Sequence, residues 1–122
     1  MTEVSDNELA AEHLILGCAM LDPDRLFKLL AQHKKALSPL YFGIDFYGAC
    51  WEAIRVISPC DPVSVWEAVR DHHDADTFGV EQLAELVGEI DSENFDDAPL
   101  AAGLVIAGYM RRVAGLEPPT LH

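Results

Sequence analysis

Apolar residues in this chain recur three and four positions apart, and segments that contain Pro separate one periodic stretch from the next. Residues 5–8 (SDNE) have the spacing of a capping box, and Asp-Pro at 22–23 can both end that helix and start the next. No stretch alternates apolar and polar residues between hairpin turns. The sequence therefore predicts an all-α fold, a bundle of about six helices over residues 1–115, with 116–122 as a C-terminal tail.

The later helices are predicted from similar signals. A third helix follows Gly43, and Ser64 and Glu67 have capping-box spacing at the start of a fourth. The stretch "DHHDADTFG" at 71–79 is polar and contains Gly, so we expect a loop before the fifth helix. The last helix is expected from about 99 to about 114, where apolar residues dominate.

The charge balance argues against several classes of partner. The chain has 8 Lys and Arg residues and 21 Asp and Glu residues, which gives a net charge of −13. Such a surface repels phosphate, so we expect no direct binding to nucleic acid and none to an anionic membrane. The longest apolar run near the C-terminus, 98–110, is shorter than the roughly 20 residues that a membrane helix needs.

The cysteines and the N-terminus predict a cytoplasmic protein. The chain has three cysteines, Cys18, Cys50 and Cys60. Their odd number and wide spacing are not those of a disulfide framework or a zinc site. Each lies in or beside an apolar run, so buried free thiols are expected. The first ten residues are acidic and polar, unlike a signal peptide.

Motifs for catalysis are weak or absent. The sequence has no phosphate-binding loop of the G-x-x-x-x-G-K-[ST] type. His72, His73 and Asp76 are the best metal candidates, but adjacent histidines on a helix point about 100° apart. A solvated helix end explains them as well, and a small metal-dependent enzyme is the alternative. Paired acids such as Asp96 and Asp97 are expected by chance in so acidic a chain. We predict a protein that is not an enzyme and has no cofactor.

The last helix is the most informative segment, because apolar residues surround it almost completely. Such a helix must be covered, either by the domain's own core or by a partner or second copy. Arg111 and Arg112 either complement the helix dipole or meet an acidic face of a partner. The predicted interface residues are Leu100, Leu104, Val105, Tyr109, Met110, Arg111 and Arg112.

The opening "LAAEHLILGCAMLDPDRL" resembles the start of the N-terminal domain of DnaB-type replicative DNA helicases. That family begins with a run of the form E-A-E-x-x-(V/L)-L-G-x-(L/I)-L-x-D, followed by a short helix that carries leucines. Glu12, Leu16, Gly17 and Asp22 stand at the matching positions.

The resemblance continues along the chain. In "YFGIDFYGACWEAI" the family's Phe, Ala and Ile positions are kept as Phe42, Ala53 and Ile54, together with Glu52, and Tyr47 stands where a histidine is usual. The segments "DPVSVWEAV" and "VEQLAELVGEI" follow in the family's order, and the last helix carries the closing Tyr and Arg-Arg. The similarity spans roughly residues 6–114, nearly the whole chain.

The resemblance implies a non-catalytic interaction module of DNA replication. In that family the domain dimerises through a C-terminal helical hairpin, forms a ring collar and docks primase or loader proteins. The implied partners are a replicative helicase, a primase or both, and a second copy of the chain. The alternative assignment is the helicase-binding C-terminal domain of a primase. That domain has a similar helical fold, but the "AEHLILG" opening argues against it.

The chain departs from the family in its strong negative charge, its more apolar last helix and the lack of a motor sequence before His122. Helicase activity is therefore not implied. We expect either a domain cut from a helicase or a free-standing, phage-type relative that loads or inhibits one, and the tail "EPPTLH" favours the second.

Overall fold

The structure is a computed structural model, and it describes residues 4–115. Within that range it contains six α-helices, two short 3₁₀ helices and no strand, which confirms the predicted all-α class. The 3₁₀ helices are Pro39–Tyr41 and Ser92–Asp97. The α-helices are α1 (Asp6–Leu21), α2 (Pro23–Gln32), α3 (Asp45–Ile54), α4 (Pro62–Val69), α5 (Ala75–Gly88) and α6 (Ala98–Val113). The predicted tail, 116–122, lies outside the described residues.

Helix α1 is the central element of the bundle. It packs against α2, α3, α5 and α6, so its side chains are buried on several faces, as its sequence predicted. Gly17 allows the closest of these approaches, since a Cβ atom there would lie 2.5 Å from the Leu86 carbonyl oxygen on α5. The positions that match the helicase family therefore include a helix-crossing point in this fold.

The helix starts follow the expected chemistry with one correction. The Ser5 hydroxyl accepts from the Glu8 amide at the start of α1, and the Asp22 carboxylate accepts from the Arg25 amide at the start of α2. The start of α4 was misassigned to Ser64 and Glu67. The cap is Asp61, followed by Pro62, because an Asp-Pro pair satisfies one amide and removes another.

The second correction concerns the expected loop at 71–79. Helix α5 already begins at Ala75, and Gly79 interrupts it with a φ of 72°. Glycine adopts this angle without strain. Gly79, which suggested a loop in the sequence, therefore produces a kink inside helix α5. Helix α6 begins one residue earlier than expected, at Ala98.

Large aromatic and aliphatic side chains from all six helices fill one core. Phe46, Tyr47 and Trp51 of α3 are buried at its centre. The three cysteines are also buried and unpaired, as predicted, and burial raises the pKa of the Cys18 and Cys50 thiols to about 12. Between residues 4 and 115, no helix is both long and apolar enough to cross a membrane.

Candidate functional site

Helix α6 has two faces of unlike character. Its inner face consists of small residues and one valine that pack on α1 and α2, with Val105 only 1% exposed. Gly108 lies directly against the Glu8 carboxylate of α1, and a Cβ atom there would clash with it. Gly108 therefore permits a close approach between α6 and the chain's own first helix.

This placement corrects the predicted interface. Val105 belongs to the core, because it lies on the face that α1 covers. Tyr109 is half-buried and its ring packs on Tyr41, with 4.7 Å between the ring centroids. We therefore leave Val105 out of the candidate face and place Tyr109 at its edge.

Arg111 and Arg112 are also engaged within the chain. Both guanidinium groups pair with Glu8, which is 3% exposed, and Arg112 Nη1 lies 2.7 Å from Glu8 Oε2. Arg112 Nη2 donates a second hydrogen bond, of 2.8 Å, to the Tyr41 carbonyl oxygen. The two cations thus fix the end of α6 to the start of α1, so the expectation that they meet a partner's acidic face loses its basis.

A second buried carboxyl, Glu12, lies one turn further along α1. It accepts hydrogen bonds from the amides of Gly43 (2.9 Å) and Ile44 (3.4 Å), at the start of α3. Burial raises the pKa of the Glu12 carboxyl, while the two amides and the Arg112 charge partly offset that shift. The sequence alone marked Glu12 as a family position but did not show that Glu8 and Glu12 are both buried.

The outer face of α6 is apolar and exposed. Leu100, Leu104 and Met110 are 68%, 39% and 62% exposed, and Gly103 and Ala107 lie between them on the same face. No charged residue occurs from 98 to 110. We call Leu100, Gly103, Leu104, Ala107 and Met110 the outer face. Val113, also 68% exposed, extends the apolar surface and was missed because it lies beyond the arginines.

The surroundings of the outer face suit a helix or loop of another protein better than a small molecule. An open depression of about 520 Å³ runs between this face and the start of α1, where Ser5, Asp6 and Asn7 form the opposite wall. Small residues at 103 and 107 let a second backbone approach closely. The Ser5 hydroxyl on this wall donates a 3.1 Å hydrogen bond to Glu8 Oε1, but that carboxylate is already paired with Arg111 and Arg112. It serves as their counter-charge, so the arrangement supports binding better than nucleophilic chemistry.

The histidine cluster is arranged differently from the prediction. The segment is not helical at His72 and His73, so their rings stack 4.3 Å apart, and Asp74 rather than Asp76 completes the group. However, His72 Nδ1 accepts a hydrogen bond from the Asp74 amide at 3.1 Å. A neutral imidazole has one lone pair, so His72 in this arrangement cannot also ligate a metal. The ligand atoms of His72, His73 and Asp74 lie within 4.8 Å of one another, so metal binding here would require His72 to give up this hydrogen bond.

A partly buried polar triad joins helices α1, α3 and α5. Tyr47 Oη lies 2.9 Å from His13 Nε2 and accepts from Gln82 Nε2 at 3.0 Å. Burial lowers the pKa of His13, so the neutral ring is favoured at this position. Tyr47, where the helicase family usually has a histidine, therefore serves to satisfy buried polar groups here.

Comparison with known proteins gives no assignment: no protein family, no curated protein and no solved structure matches this chain.

Proposed function

We propose that this chain is a non-catalytic protein–protein interaction module of DNA replication, similar in kind to the N-terminal collar domain of DnaB-type helicases. The observation that carries the proposal is the outer face of α6, which is apolar, free of charge and not covered by any part of residues 4–115. A surface of this kind on a helix usually marks a protein-binding site. Leu100, Leu104 and Met110 are the residues that we expect to bind.

The residues on which the helicase resemblance rests occupy structural positions in this fold, and this supports the proposal. Leu16 and Gly17 lie in the core of α1, Asp22 caps α2, and Glu12 holds the loop before α3. Each takes part in the packing or the capping of this helical fold, which is consistent with the role that the resemblance implies for these positions. The proposal that the partners are a replicative helicase, a primase or both rests on this resemblance.

A second copy of the chain is the first proposed occupant of the outer face. Two copies with a charge of −13 repel one another, and an uncharged helix face is where such copies could still meet. Because the repulsion is screened by salt, we expect the dimer to become tighter as ionic strength rises.

The test is sedimentation velocity of the protein alone and mixed with a replicative helicase. The proposal expects dimers, a helicase peak that shifts with stoichiometric co-migration, or both. Leu104→Glu should abolish these complexes and leave the helical fold intact, since Leu104 faces solvent. Val56→Glu is the matched control, because Val56 is 80% exposed on another face at the end of α3.

Two results would contradict the proposal. One is a monomer that does not move with the helicase at any protein or salt concentration. The other is a complex that Val56→Glu and Leu104→Glu weaken equally, since the contact would then lie elsewhere. A complex with the helicase but without self-association would favour a stand-alone loader or inhibitor over a collar module.

A further inference from the structure

A second surface feature lies between the end of α2 and the end of α3. It is a groove of about 400 Å³ whose floor is formed by Leu37 and the indole of Trp51, with Phe27 on one side. Both floor residues are buried, and Trp51 Nε1 donates a 2.9 Å hydrogen bond to the Leu37 carbonyl oxygen. The floor is therefore rigid and apolar, and its polar groups are already satisfied.

The rim of this groove is cationic. Lys34, Lys35 and Arg55 line it, and no Asp or Glu does so among the described residues. Within residues 4–115, none of these three cations has a carboxylate oxygen within 4.0 Å. Three of only eight Lys and Arg residues thus surround one apolar groove, in a chain that carries 21 acids.

The backbone at Lys34 is a second observation. Lys34 has a φ of 57°, in the left-handed region, at the position just beyond the end of α2. Its amide bonds to the Ala31 carbonyl and the Lys35 amide bonds to the Leu30 carbonyl, which is the Schellman arrangement that ends a helix. Glycine is the usual residue there. A lysine at this position adopts a strained backbone conformation, and it places an ammonium group at the groove.

We propose that this groove binds an acidic amphipathic segment of a partner protein, with apolar side chains on Trp51 and Leu37 and carboxylates against Lys34, Lys35 and Arg55. Charge complementarity selects this occupant. A second copy or an anionic vesicle would bring a large negative surface against a chain of −13, whereas a short segment presents few charges beyond those that the rim neutralises. The inference does not depend on the outer face of α6 or on the proposed role in replication.

The groove also adjoins α6. A Cβ atom at Gly103 would lie 3.7 Å from Lys35 Nζ, so the rim of the groove touches the edge of the outer face. A partner could therefore occupy both surfaces at once. For this reason the test uses substitutions at Lys34 and Arg55 and leaves Lys35 unchanged.

The experiment measures binding of two labelled synthetic peptides of about 16 residues by fluorescence anisotropy. Both carry leucines at helical spacing and Gln at most other positions. One has Glu and the other Lys at three positions on one side, which matches the number of cations on the rim. In a Trp66→Phe background, Trp51 is the remaining tryptophan and lies in the groove, so its emission reports directly on occupancy.

We expect the acidic peptide to bind at least about tenfold more tightly than the basic one, to shift Trp51 emission, and to weaken as salt rises. Lys34→Glu and Arg55→Glu should each reduce the affinity about tenfold. Arg70→Glu, an equal charge change at an exposed position outside the groove, should not. Lys34→Gly should raise the melting temperature by relieving the backbone and still weaken binding.

Three results would overturn the proposal: equal binding of the two peptides, no change in Trp51 emission, or an equal effect of Arg70→Glu. Tighter binding of an oligothymidylate or of phosphatidylserine vesicles than of the acidic peptide would also overturn it. Failure here leaves the sedimentation test of the outer face unaffected, because that test uses a different substitution and a different readout.

Discussion

The two faces of helix α6 reverse the usual arrangement of a surface helix. At its inner side, Arg111 and Arg112 reach down to a buried carboxylate, Glu8, while its outer side exposes Leu100, Leu104 and Met110 to solvent. An ordinary surface helix buries its apolar stripe and exposes its charges. The ionic contacts fix the position of α6 within the chain. The exposed outer face is the observation on which the proposed partner site rests.

The largest expected effect comes from removing the buried carboxylate. Glu8→Ala leaves two guanidinium groups without their counter-charge in a largely buried position, which should cost about 3–5 kcal/mol of unfolding free energy. Urea unfolding followed by far-UV circular dichroism measures it. Glu67→Ala, an exposed acid on α4, should change the stability by less than about 0.5 kcal/mol. Similar losses for the two variants would mean that the inner face is not held by this cluster.

Neighbouring residues on α6 offer a direct comparison of the two faces. Val105→Ala removes fully buried methyl groups and should destabilise the fold by about 1–2 kcal/mol, whereas Leu104→Ala, at a side chain that is 39% exposed, should cost the monomer less, about 1 kcal/mol at most. Only Leu104→Ala should weaken self-association or helicase binding. Unfolding curves at low protein concentration and sedimentation at high concentration separate the two effects. If Leu104→Ala destabilised the monomer as much as Val105→Ala did, the outer face would be part of the core.

The glycines of α6 make a second matched pair. Gly108→Ala places a methyl group against the Glu8 carboxylate and should cost about 1–3 kcal/mol, because the packed ionic cluster would have to shift. Gly103→Ala meets only Lys35 Nζ at 3.7 Å and should stabilise the helix by up to about 1 kcal/mol. Gly103→Ala should nevertheless weaken the dimer, if a second backbone approaches there. Thermal unfolding and sedimentation of the two variants check both expectations.

The smallest effect concerns pH. The folded state raises the pKa of Glu12 above its ordinary value of 4.5, mainly through burial. Below 4.5 the carboxyl is protonated in both states, and between 4.5 and the raised pKa only the folded state holds the proton. The contribution of Glu12 to stability is therefore lost as pH rises through that window. Relative to Glu12→Gln, the wild-type protein should lose stability as the pH rises from 4.5 towards the raised pKa of Glu12.

The control for that measurement is Glu52→Gln, at an exposed position on α3. It removes a carboxyl of the same type that is not buried, and so separates the effect of burial from that of the substitution itself. A difference for Glu12→Gln that did not change with pH would mean that the buried carboxyl does not gain a proton on folding.

The helix count, the Asp-Pro breaks and the burial of α1 could be predicted because each depends on residues close together in sequence. The capping hydroxyl of Ser5 and the capping carboxylate of Asp22 act within three residues, so their spacing suffices. The kink at Gly79 and the Asp61 cap were missed because glycine and Asp-Pro each serve more than one local structure.

The ionic cluster was beyond the reach of local patterns. Glu8 and Arg111 are 103 residues apart, and nothing in either neighbourhood indicates that they meet. The apolar character of α6 predicted that the helix is covered. Which of its faces is covered by the rest of the chain depends on the rotation of α6 about its own axis. That rotation is set by the contact of Gly108 with Glu8, so Val105 was assigned to the wrong face. The rim of Lys34, Lys35 and Arg55 likewise exists only once α2 and α3 are packed together.

The most direct test of the account measures whether the outer face becomes covered. The three native thiols are buried, so a cysteine introduced by Leu104→Cys can be modified selectively by a maleimide, and Val56→Cys provides the exposed reference. We predict that modification at position 104 slows as the protein concentration rises or a replicative helicase is added, while modification at position 56 does not. A modification rate at position 104 that changes with none of these conditions would contradict the claim that α6 presents a protein-binding face.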